Sequence, residues 1–177
     1  MVLFRGRQQE SVIAHRFRSV RARFSFDSAD GLYTARVFAT AERAVDLFHA
    51  LSGHLPPAVA VHVWDVRTDQ RWSGSALALE DVRDAFARLR TPLSIFAGVE
   101  FTLVGSDDQL SLGASLDLHV HARSDRWYYL LIGTGLVPGV PLKPRTWRLA
   151  PSEFPPAPEM RGALDRAIEK LGLTSSQ

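Results

Sequence analysis

The triplet Asp117-x-His119-x-His121 carries the most pointed chemistry in the chain. On a β-strand, residues two apart project from one face at roughly 6.5–7 Å per step, so one carboxylate and two imidazoles would share a surface. Those are ligand types for Zn²⁺ or Fe²⁺, which makes Asp117, His119 and His121 candidate metal ligands of a metal-dependent enzyme. The same side chains on the wet side of an amphipathic strand would instead form a contact surface for a protein partner. Reading Ser124–Asp125 as a tight turn brings Tyr128, on a following strand Trp127–Ile132, opposite His121 and adds it to that surface. Ser111, Gly113 and Ser115 precede the triplet on the same face, and no H-E-x-x-H helix accompanies it; both facts favour the plain solvent side of an amphipathic strand over a metal site.

Arginine is the second candidate chemistry. Residues 1–23 hold Arg5, Arg7, Arg16, Arg18, Arg21 and Arg23 against Glu10 alone. Guanidinium groups interleaved with Phe17, Phe24 and Phe26 could engage phosphates and stack bases, so Arg16, Arg18, Arg21 and Arg23 are candidate nucleic-acid contacts. Two observations weigh against this. The phenylalanines fit the buried face of a strand, and no recognition-helix, RNP or zinc-finger signature is present. Across the chain Arg outnumbers Lys 19 to 2 and Ala is abundant, the pattern of a GC-rich bacterial genome. Solvated charge on an edge strand, which discourages pairing with other chains, is the favoured reading.

Other motifs fall short of chemistry. Gly133-Thr-Gly135-Leu-Val-Pro138 resembles a phosphate loop, but Pro138 replaces the third glycine, and Pro141 and Pro144 forbid the helix that would hold the phosphate. No Walker loop or nucleophile elbow occurs. With no Cys, thiolate catalysis, disulfides and Cys-ligated clusters are excluded. No cofactor is expected.

The elements that must position these residues follow from periodicity. Val20–Phe26 alternates, DSADG over 27–31 is turn chemistry, and Leu32–Phe38 resumes as a strand, predicting a hairpin. A helix runs from a Thr40 cap to Leu51, a strand spans Ala58–Val66, and a return strand covers Arg71–Gly74. A second helix over Leu79–Arg90 stops at Pro92. Phe101 and Leu103 share a face before a GSDD turn. Leu110, Leu112, Ala114, Leu116, Leu118 and Val120 then alternate without a break, predicting one long half-buried strand with Leu116 in the core. Seven of the ten prolines fall in 138–158, predicting an extended connection, and a last helix covers 159–171 before a frayed end at 174–177.

At 177 residues, 46% hydrophobic and 23% charged, the chain suits one ordinary globular domain. The expected organisation is a loose basic arm over 1–17 and an α+β domain over 18–177. In that domain a ferredoxin-like βαββαβ core at about 32–104 is extended by a β-meander at 99–132, with helices on one face of a largely antiparallel sheet. The start has no apolar h-region and no run reaches the roughly 18 residues of a membrane span, so a cytoplasmic protein away from membranes is expected. These readings converge on a non-catalytic binding protein acting through a protein–protein contact, or self-association, on the exposed sheet face or edge. An immunity- or inhibitor-type role fits by analogy of size and class. Nucleic-acid binding by the arginine segment and a metal-dependent enzyme are the alternatives.

Overall fold

A computed structural model describes residues 20–140 and 148–176. The fold is α+β: the described residues form a nine-stranded, mostly antiparallel sheet with four α-helices. In chain order the elements are β1 (Arg23–Ala29), β2 (Leu32–Phe38), α1 (Ala41–Ser52), β3 (Ala58–Asp65), β4 (Gln70–Ala78), α2 (Leu79–Phe96) and β5 (Val99–Val104). There follow β6 (Asp108–Leu112), β7 (Leu118–Ala122), α3 (Arg126–Gly133), β8 (Val137–Pro138), α4 (Pro158–Leu171) and β9 (Thr174–Ser175). The strand order is β8-β1-β2-β7-β6-β5-β3-β4-β9. Both edge strands are two residues long, so β8 covers only Arg23 and Phe24 of β1, and β9 only Trp72 and Ser73 of β4.

Register divides the sheet into an apolar and a polar side. Phe24, Val37, Leu118, Leu112, Phe101 and Val63 stand in one cross-strand row, and Phe26, Ala35, Val120, Leu110, Leu103 and Val61 in the next on the same side. All four helices pack there. Phe48 of α1 touches Phe86 of α2, which meets Phe101 edge-on. Tyr128 of α3 meets Phe24 and Phe26, and Leu164 and Ala167 of α4 line the same small apolar void as Val61 and Phe101.

Local chemistry explains most boundaries. The β1–β2 hairpin closes on Asp30 (φ 51°) and Gly31 (φ 75°), a two-residue turn with both residues left-handed, whose twist matches the flanking strands. Gly172 (φ 60°) stops α4. Instead of fraying, Thr174 and Ser175 pair with Ser73 and Trp72 of β4.

Four expectations need correction. The ferredoxin-like order does not form, because β7 and β6 insert between β2 and β5. Helix α2 continues past Pro92 to Phe96: Leu93 is fully buried and Phe96 nearly so, and their packing outweighs the one lost N–H. The single strand over 110–120 is two strands. It folds back at Gly113–Asp117, where the Gly113 N–H donates to the Asp117 carbonyl (2.7 Å), the Leu116 N–H to the Gly113 carbonyl (2.8 Å), and Leu116 sits at φ 62°. Leu112 and Leu118 become register partners six positions apart, so the even-numbered leucines keep one side and the alternation passes unbroken through the turn. Leu116 is still wholly buried, as expected of a core residue. The segment 127–132 is helical. Trp127 and Leu131, one helical turn apart, are fully buried while Tyr129 is exposed, a period of about four rather than two. The meander therefore comprises β5, β6 and β7.

Arg67 fastens one end of this arrangement. From the β3–β4 turn it donates to the carbonyls of Phe96 (2.6 Å) and Ala97 (2.8 Å), unpaired at the end of α2, and to Pro155 (2.8 Å). Gly98 (φ 79°) must be glycine here, since a Cβ would collide with the guanidinium. The guanidinium also lies over the Phe154 ring, at 5.4 Å. Lysine keeps the charge but cannot reproduce the planar fork, so Arg67→Lys is expected to cost about 2 kcal/mol or more in denaturant unfolding. A variant as stable as the wild type would show that the three carbonyls find other partners.

Candidate functional site

The polar side of the sheet carries the chemistry. One cross-strand row reads Ser25, Arg36, His119, Ser111, Thr102, His62 and Ser73; a neighbouring row brings together Asp27, Thr34, His121, Gln109 and Val104. Trp64 pairs with Glu100 on one side and Arg71 on the other. No described helix lies over these rows. Their centre is a groove of about 410 Å³ among Glu100, Ser111, Ser115, Asp117, His119, His121 and Arg148.

Asp117 forms the groove's inner wall. The β6–β7 turn directs its carboxylate over Gly113, where any side chain would collide with it. His119 shares a hydrogen bond with that carboxylate through Nε2, at 2.7 Å. Burial alone would push Asp117 up. The hydrogen bond and charge of His119, its own backbone N–H and the Arg148 charge together hold it below the usual carboxylate range. Glu100 goes the other way: burial first, then the Asp117 charge, raise it, and His119 and Arg71 only partly offset this. No described group donates a hydrogen bond to Glu100. His121 is lowered, by burial and then by the charges of His119 and Arg36.

The outer wall comes from the segment after residue 147. The Leu149 N–H donates to Ser115 Oγ at 3.1 Å, and Arg148 stands beside it in the groove. Seven residues on, Pro155 is held by Arg67.

The residues singled out by sequence meet different fates. Asp117, His119 and His121 do share one side of the sheet. Among the described residues, no three His, Asp or Glu stand where they could hold a metal ion. Tyr128 is not opposite His121. It lies on α3, on the other side of the sheet, edge-on to Phe24 (5.6 Å) and Phe26 (5.4 Å), while His121 faces Thr34 and Gln109. Arg16 and Arg18 lie outside the described residues. Arg21 is exposed, and Arg23 is partly buried beside Gly139. Glu100 was legible as the polar neighbour of Val99 and Phe101 in an alternating strand, but nothing in the sequence linked it to Asp117. Arg148 gave no signal at all.

No helix is long and apolar enough to cross a membrane among the described residues. No family model, curated protein or solved structure matches the chain.

The two carboxylates should respond oppositely to substitution. Asp117 is depressed in the folded state, so it adds stability above the ordinary carboxylate pKa and loses it as pH falls through its lower folded value. Asp117→Asn should therefore cost about 1–3 kcal/mol at pH 7 and progressively less in strong acid. Glu100 is raised, so its ionised form opposes folding at pH 7; Glu100→Gln should leave the melting temperature unchanged or higher, with the gain vanishing as pH drops through the raised value. Melting curves of both variants between pH 3 and pH 8 check this. A destabilising Glu100→Gln at pH 7 would contradict the assignment.

Proposed function

We propose that the protein acts by binding a protein partner across the open polar side of its sheet. The observation that carries the reading is the one-sided architecture: no described α-helix lies over the polar side, where the segment from Arg148 walls one groove and His62 and His121 stay exposed. Its seven longer strands, ~4.8 Å apart and ~20 Å long, present a surface of roughly 30 by 20 Å. That is comparable with the ~800 Å² which each partner contributes to a standard interface.

Surface composition supports a protein rather than a nucleic acid. Arg23, Arg36, Arg71 and Arg148 are matched by Asp27, Glu100, Asp117 and, at the turn beside Trp64, Asp69. A phosphate backbone calls for a positive excess. Trp64, His62, His119 and His121 add amphipathic groups of the kind that recur at interfaces. Trp64 is already rigid: its indole N–H donates to Asp69 (2.9 Å), and Arg71 lies over its ring at 4.5 Å. The reading is non-catalytic, and a cytoplasmic inhibitor- or immunity-type role remains an analogy of size and class.

The test uses a protein captured from the native host, identified and then purified. His62→Glu, Thr102→Arg and His121→Glu, each on the open side, should weaken its affinity at least ~10-fold without lowering the melting temperature by more than a few degrees, as befits surface positions. Glu42→Ala and Tyr129→Ala, on the helical side, should leave it unchanged. The opposite pattern would overturn the reading. So would a salt-steep affinity for single-stranded nucleic acid that exceeds the affinity for the protein.

A further inference from the structure

Within that surface, and resting on the protein-binding reading, we propose that the Glu100 groove is the anchor point for an arginine side chain of the partner.

Among the groups lining the groove, Asp117 is already matched: His119 is hydrogen-bonded to it and Arg148 faces it. Ser111 Oγ accepts from Thr102 Oγ1 (3.0 Å) and from the Gln109 amide (3.2 Å), and Ser115 Oγ accepts from the Leu149 N–H. Among the described residues, none donates a hydrogen bond to the Glu100 carboxylate. Its carboxylate is half-buried on a central strand and held near a second carboxylate, and Arg71 acts on it only at a distance. A carboxylate in that position loses hydration without gaining a donor, and a cation delivered to it recovers the deficit.

Geometry favours guanidinium over ammonium. The neighbouring Arg71 guanidinium lies over the ring of Trp64, the register partner of Glu100, at 4.5 Å, so the surface already holds this group against its aromatic residue. A second guanidinium entering the groove could present two N–H donors to the Glu100 carboxylate, the bidentate match that a lysine cannot make. An anion finds less, because Arg148, the cation in the lining, already faces Asp117. Burial and neighbouring cations lower His121 toward its neutral form, and the Asp117 pairing engages His119 Nε2.

The probe is Nα-acetyl-arginine amide, titrated into the full chain and followed by amide resonances in two-dimensional NMR. Saturable, millimolar shifts are expected at residues 99–101 and 117–121. They should be several-fold weaker with the lysine analogue and absent with Nα-acetyl-glutamate amide. Glu100→Gln should abolish saturation while leaving the remaining spectrum in place, which separates loss of the site from loss of the fold. Shifts in Glu100→Gln equal to those of the wild type, or equal shifts from the arginine and glutamate probes, would overturn the proposal. Failure here is distinguishable from failure of the binding reading: a purified partner that still loses affinity with His62→Glu and Thr102→Arg, yet tolerates Glu100→Gln, keeps the surface and removes the anchor.

Discussion

The guanidinium of Arg67 is the interaction that ties the end of α2 to the segment leading back to the polar groove. Three carbonyls from two distant parts of the chain, Phe96 and Ala97 at the end of α2 and Pro155 within the proline-rich stretch, converge on one side chain from the β3–β4 turn. Burying an arginine is costly unless its donors are used, and burial does lower Arg67 despite the nearby Asp65. With five N–H donors fixed in a plane, it can serve several carbonyls at once. The consequence reaches the groove because Pro155 continues back to Leu149 and Arg148, whose backbone rests on Ser115 in the β6–β7 turn.

A second constraint acts from inside the sheet. The Gly113–Asp117 turn does two things at once: it reverses the chain so that β6 and β7 pair, and it aims the Asp117 carboxylate across the vacant position at Gly113. Fold and site are thus set by the same five residues. The left-handed Leu116 is tolerated because its side chain is completely buried, so packing offsets the backbone strain.

How much of this was legible in the sequence depends on what the signal measures. Side-chain parity was legible: Leu110, Leu112, Leu118 and Val120 belong to one side, and His119 and His121 to the other. Chain direction was not, because a reversal that leaves register partners an even number apart preserves parity. The turn chemistry of Gly113, Ser115 and Asp117 was present but coincided with polar positions of an alternating strand. The misreading of 127–132 has a different cause: an apolar run of six residues fits either a strand or a helix, and only the burial of Trp127 and Leu131 decides between them. Tyr128 left the candidate surface as a result. Glu100 and Arg148 joined it through long-range pairing, which no local pattern encodes.

The claim at the centre of this account is that the open polar side of the sheet is the working surface. Hydroxyl-radical footprinting of the protein with and without its purified partner tests it most directly, since Trp64, His62, His119 and His121 on one side and Tyr129 and Ile132 on the other are all reactive side chains. The account predicts protection of the first group and unchanged reactivity of the second. Protection of Tyr129 and Ile132 with no change at Trp64 and the histidines would contradict it.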